Sequence, residues 1–172
     1  MSAFSERVVQ DVRKIEALSK TVQGRVKIIK RVGNPINSLV IEIDYPTAPS
    51  KSFPASVQPK TQVKIDLLSR YPFQEPVATI TTPIFHPNVY PNGKICFGTK
   101  WLPTQGLDLL VKRIIQIITF DATILNEKSP ANSTALSWYR GAVRKHPTSF
   151  PTDKLLIKET KPKTMTWNNV KS

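Results

Sequence analysis

The spacing of apolar residues changes period twice along this chain, and that narrows its possible folds more than any single motif. From Phe4 onward Val8, Val12, Ile15, Leu18 and Val22 recur at three- and four-residue steps, which is one face of an amphipathic helix. Ser2 is its expected N-cap and Gly24 its expected end. Alternation then takes over, in Val26 and Ile28, in Leu39, Ile41, Ile43 and Tyr45, in Val63, Ile65 and Leu67, and in a short run from Val77 to Thr81. Turn-forming stretches, "GNPINS" and "PTAPSKSFPASVQPK", separate these runs. Helical spacing returns at Leu107, Leu110, Val111, Ile114 and Ile118, and the additional Ile115 and Ile117 predict burial on more than one side. "SPANSTALSWYR" predicts one more helix, capped by Ser129, with Pro130 in its first position and Pro147 as its stop. The pattern is that of an α+β fold: an N-terminal helix, a four-stranded antiparallel meander, a long loop, a central helix and a C-terminal helix.

With 172 residues, 40% of them hydrophobic, the chain can bury one sizeable core, whereas two would be marginal. A single domain is expected over residues 1–148. Residues 149–172 read as a basic extension, extended or partly disordered, with Trp167 as a possible anchor. The longest apolar run, near Ile114 to Phe120, is far too short for a membrane span, and the first residues lack the apolar segment of a secretory signal. A cytoplasmic protein with no membrane partner is expected. One cysteine cannot make an internal disulfide, and one cysteine with two distant histidines is a poor zinc set, so neither metal nor cofactor is expected.

The formal net charge of +13 raises a nucleic-acid reading, but the excess sits at the ends. Residues 1–31 hold 8 Lys/Arg against 3 Asp/Glu and residues 140–172 hold 8 against 2, while the middle holds 9 against 7. Base-stacking modules interleave aromatics with such charge, and the basic N-terminal segment has only Phe4, so nucleic acid is disfavoured. Solvated helix faces, or an acidic protein partner, fit the pattern better.

Between the fourth strand and the central helix runs "TTPIFHPNVYPNGKICFGTKWLPTQG", which has neither period and is punctuated by prolines and glycines. Loops this long inside a compact domain are usually functional. Cys96 lies here. A lone cysteine is commonly a small buried apolar residue, but a polar, Gly/Pro-rich loop equally suits a nucleophile. His86, ten residues earlier, reads either as a base for Cys96 or as a loop histidine hydrogen-bonded to backbone, and the tight Pro87–Asn88 context favours the second. Asn88 reads as an ordinary turn residue or as an amide donor toward a developing oxyanion.

"YPFQEP", "HPN", Cys96 eight residues after Asn88 with "NGKIC" leading into it, Trp101 and Pro103, and then "SPANSTA" resemble, in content and order, the ubiquitin-conjugating enzymes. The likeness covers roughly residues 1–145 and is strongest from Tyr71 to Trp101. It implies that fold, and that Cys96 takes the C-terminal acyl group of ubiquitin or a ubiquitin-like protein from an activating enzyme, holds it as a thioester, and yields it to an amine or a ligase. Sulfur suits this because a thiolate both attacks and leaves well, so exchange between thioesters is nearly balanced while transfer to nitrogen runs downhill.

The resemblance also implies roles for other residues. Asn88 would serve as oxyanion donor or loop brace, and His86 would organise the loop. Pro87, Gly93 and Trp101 would support the site, and Ser129 with Asn126 would form the gate on the acceptor side. Phe73 and Pro103 match the loop positions that contact ligases. Arg7, Arg13 and Lys14 lie on the helix offered to the activating enzyme. The chain also departs from the family. Gly98 and Ser129 stand where acidic residues are common, and five positions separate Cys96 from Trp101, fewer than in many members. The segment between the second and third strands is unusual, and the tail lacks a clear fourth helix. Such departures fit a divergent member, of the kind a bacterial ubiquitin-like pathway would carry. The competing readings are a non-catalytic variant used as a docking module, which typically lacks the cysteine, and a basic nucleic-acid-binding domain.

Overall fold

In the computed structural model, which describes residues 1–159, Ser2 caps α1 (Ala3–Thr21) by accepting the Ser5 amide hydrogen. The chain then enters one antiparallel sheet whose strands β1 (Val26–Val32), β2 (Ser38–Ile43), β3 (Thr61–Asp66) and β4 (Val77–Ile80) lie side by side in sequence order. The alternation expected from the sequence is realised. Leu39, Ile41 and Ile43 of β2 and Val63 and Ile65 of β3 point to one side and are wholly buried. They meet Val111, Ile114 and Ile117 of α2 (Leu107–Ile118) together with Val8 and Ile15 of α1 in one core. Each such aliphatic side chain stabilises the fold by about 1.5–3 kcal/mol. α2 is buried on several sides, as the extra isoleucines imply, leaving Leu109, Lys112 and Gln116 outside.

Two expectations are corrected. Ser129 does not cap the next helix. α3 runs Ser133–Lys145, and its cap is Asn132, whose side chain accepts the Ala135 amide hydrogen at 3.0 Å while its own N–H donates to the Pro87 carbonyl at 3.1 Å. That second bond ties the helix start to the loop, and Ser129 has no equivalent. Residues 149–159, expected to be extended or partly disordered, belong instead to the folded unit. Phe150 is buried in a second cluster with Phe53, Phe120 and Tyr139, its ring 5.4 Å from that of Phe120. Thr152 donates its amide hydrogen to the Thr119 carbonyl at 2.8 Å and its hydroxyl to the Pro46 carbonyl. A short α4 (Lys154–Glu159) follows, a helix too brief to show a period in the sequence. Trp167 lies outside the described residues.

The second cluster therefore depends on residues past the expected boundary. Phe150→Ala should lower unfolding free energy by about 3–5 kcal/mol in a denaturant titration, and ending the chain at 148 should do at least as much. A loosely attached tail would leave both variants as stable as the parent.

Candidate active site

The loop between β4 and α2 is held in shape mainly by its backbone. Tyr90 to Lys94 close a turn, with Gly93 N–H donating to Tyr90 O at 2.8 Å and Tyr90 N–H to Lys94 O at 2.9 Å. The turn docks on β4 through Ile80 N–H to Gly93 O at 2.8 Å and Ile95 N–H to Ala78 O at 3.0 Å. Only glycine fits at position 93. Its φ is +89°, and a Cβ there would sit 2.2 Å from the Ile80 carbonyl oxygen. Cys96 comes next, and its N–H donates to the Asn88 carbonyl at 2.8 Å.

Asn88 is completely buried. Its amide donates to Ile124 O at 3.0 Å, and its side-chain oxygen accepts the Asn126 N–H, also at 3.0 Å. Asn126 in turn accepts the Ser129 N–H at 3.3 Å, so the two gate residues named from the sequence are linked to Asn88 in one chain of bonds. His86 is buried as well, 4.3 Å from the Phe120 ring centroid, and its Nδ1 accepts the Asn88 N–H at 2.9 Å. That bond puts the proton of the neutral ring on Nε2. Burial pushes the His86 pKa down to about 3, only partly opposed by the Ile117 backbone, so the ring is uncharged near neutrality. The ring is thus bonded to the backbone of its own loop. Pro87, beside it, receives the Asn132 N–H described above.

Cys96 is half-buried, between the buried Ile95 and Phe97. It opens on a cleft of about 450 Å³ that is also lined by Glu75, Tyr90, Lys94, Gly98 and Lys100. Gly98 has φ +68° with nothing closer to a Cβ than the Asn126 amide at 3.9 Å, so backbone conformation, not crowding, favours glycine there over an acidic residue. Ser129 is exposed. Among the described residues, no three His, Cys, Asp or Glu side chains are grouped to hold a metal ion, and no helix is long and apolar enough to cross a membrane.

The expected partner-binding residues divide. Phe73 is 77% exposed and Leu102 51%, while Pro103 is half-buried. Trp101 donates its indole N–H to Pro72 O at 2.6 Å and lies 6.1 Å from the Tyr71 ring, joining the two loops. Arg13 and Lys14 are exposed on α1. Arg7 is not available as expected, because its guanidinium turns inward to Asp11 at 2.7 Å and to the carbonyls of Pro103 and Gln105. Asp11, which the sequence reading passed over, is fully buried. It also accepts the Tyr71 hydroxyl and, at 3.1 Å, the Leu107 N–H, capping α2 where Gly106 offers no side chain. Its position three residues after Val8, on the apolar face of α1, was the available signal.

A family model described as ubiquitin-conjugating enzyme matches residues 58–150. The ubiquitin-conjugating enzyme E2 of African swine fever virus (strain Badajoz 1971 Vero-adapted) is 30% identical over 95 residues, a match covering 49% of this chain and 42% of the viral protein. Ubiquitin-conjugating enzyme E2 15 of Schizosaccharomyces pombe is 30% identical over 86 residues, covering 41% and 49%. Each match thus spans less than half the relative's length. Human ubiquitin-conjugating enzyme E2 G1 aligns structurally with a TM-score of 0.48 and 19% identity, covering 64% of this chain and 92% of that one.

The geometry makes two predictions. Asn88→Ala strands the Ile124 carbonyl and the Asn126 amide in a buried site, so it should cost about 2–4 kcal/mol in a denaturant titration, whereas a side chain acting on an oxyanion alone would leave stability unchanged. His86 is depressed on folding, so the unfolded state takes up its proton first as pH falls. Its contribution is complete above the unfolded value near 6.5 and declines by about 1.4 kcal/mol per unit from there down toward the folded value. Urea titrations from pH 7 to 5 should show this slope in the parent and not in His86→Gln. Parallel pH profiles would contradict it.

Proposed function

The chain belongs to the ubiquitin-conjugating enzyme family, and from that premise we propose that Cys96 accepts the C-terminal acyl group of ubiquitin or a ubiquitin-like protein and transfers it to an amine or to a ligase. The observation supporting this most directly is the contrast at Cys96. Its backbone is pinned to Asn88 and its neighbours Ile95 and Phe97 are buried, while Cys96 itself is only half-buried and lines the cleft. A buried structural cysteine has no need of that exposure. The incoming thioester carbonyl is attacked by the Cys96 sulfur, the activating enzyme's thiol leaves, and the new thioester stays reactive toward nitrogen. Asn88, with its carbonyl and one amide hydrogen spent on Asn126 and Ile124, supports this chemistry by bracing the loop. The reading puts the protein in the cytoplasm, where a free thiol stays reduced.

For partners, Arg13 and Lys14 present positive charge to an acidic activating enzyme, and Phe73 with Leu102 and Pro103 offers a ligase an apolar contact. Ubiquitin, its activating enzyme and ATP should give a thiol-sensitive adduct on this protein that Cys96→Ala abolishes and Cys96→Ser converts to a thiol-resistant ester. Charging should slow steeply between low and physiological salt. An adduct that survives Cys96→Ala would overturn the assignment, and a flat salt response would remove the steering role of α1.

A further inference from the structure

Attack on a thioester needs a neutral amine, and a lysine ammonium at its ordinary pKa of about 10.4 is not one. Positions 98 and 129, where the resemblance to the family implies acidic groups, hold glycine and serine. The Cys96 cleft nonetheless contains one carboxylate, Glu75, contributed by the short segment that leads into β4. Glu75 is exposed and, among the described residues, forms no ion pair or side-chain hydrogen bond. Among the described residues, no other carboxylate lines this cleft. Asp11 is locked in its buried network, Asp121 bonds Thr123, and Glu127 pairs with Arg140 at 3.9 Å. Lys94 and Lys100 line the same cleft, and their charge penalises an ammonium entering it, which favours release of the acceptor's proton. Glu75 also lines the adjoining groove, together with Tyr45, Lys112 and Arg113.

We infer that the acceptor amine reaches the Cys96 thioester through this cleft and that Glu75 is the group that deprotonates it, an assignment resting on the acyl-carrier reading of Cys96. The Glu75 carboxylate takes one proton from the entering ammonium and returns it to solvent. The freed nitrogen attacks the carbonyl carbon, a C–N bond forms, the C–S bond breaks, and the second proton the nitrogen sheds ends on the Cys96 sulfur. The acceptor class this suits is a primary amine on a chain flexible enough to enter the cleft.

The test uses the full chain, with ubiquitin, its activating enzyme and ATP to load Cys96, and free lysine as acceptor. Parent, Glu75→Gln and Glu75→Asp proteins are compared for loading rate and for discharge between pH 7 and 9.5, after subtracting hydrolysis without lysine. Loading should be equal in all three. Discharge by Glu75→Gln should be about 10-fold or more slower at pH 7, the deficit should shrink as solvent deprotonates the amine, and Glu75→Asp should recover part of the rate. Equal discharge rates at pH 7 would overturn the inference. So would a deficit that is constant with pH, or one matched by an equal loss in loading. If the parent itself does not load, the reading of Cys96 falls and this inference falls with it, an outcome distinguishable because all three proteins then behave alike.

Discussion

Asn88 and His86 are polar side chains with no access to water, and the site depends on the hydrogen bonds made by the Asn88 side chain and by Nδ1 of His86, whose Nε2 has no hydrogen-bond partner among the described residues. A buried amide or imidazole left without partners costs a few kcal/mol, which is a large part of a small domain's stability. Here the Asn88 side chain bridges the Ile124 carbonyl and the Asn126 amide, its N–H goes to the His86 ring, and its carbonyl receives the Cys96 N–H. One residue thereby fixes three segments: the loop bearing the cysteine, the stretch after α2, and, through Asn126 and Ser129, the approach to α3. The neutral state of His86 follows from the same burial, because only the uncharged ring can both sit against Phe120 and accept from Asn88. The consequence is that Cys96 stands on a braced backbone at the edge of the cleft.

On α1, Asp11 plays a comparable part. A carboxylate with no solvent access requires charge and hydrogen bonds, and Arg7, Tyr71 and the Leu107 N–H supply them. Burial and the bond to Asp11 both raise the Tyr71 pKa, so its hydroxyl stays protonated and donates. Because Arg7 also grips the Pro103 and Gln105 carbonyls, and Trp101 holds Pro72, the two loops that carry the exposed Phe73 and Leu102 are tied to the first helix. The surface offered to a partner is thus set by buried charge, not by the exposed residues themselves.

The elements readable from the sequence were those whose own spacing reports burial. All four strands, α1 and α2 show it, since alternate or every third and fourth side chains meet a single core. What could not be read was fixed by contacts between distant residues. The partners of Asn88 lie 36 and 38 positions away, so its bracing role left no local trace. Asp11, four residues after Arg7, looks like half of an ordinary solvated helix pair, and only Tyr71 and Leu107 make it a core residue. Ser129 and Asn132 are equally good caps by composition, and the bond from Asn132 to Pro87 decided between them. The stretch after 148 has no period, yet Phe150 and Thr152 anchor it through residues in the first two thirds of the chain and at the end of α2.

Native-state alkylation tests most directly the central claim that the buried frame leaves the Cys96 sulfur reachable, and the single cysteine makes the reading unambiguous. Folded protein treated with iodoacetamide should be labelled to completion at a rate that is independent of added stabilising osmolyte and close to that of the unfolded chain. Labelling that is slow and falls in step with global unfolding would mean that the sulfur is sealed inside the fold, and would contradict the account.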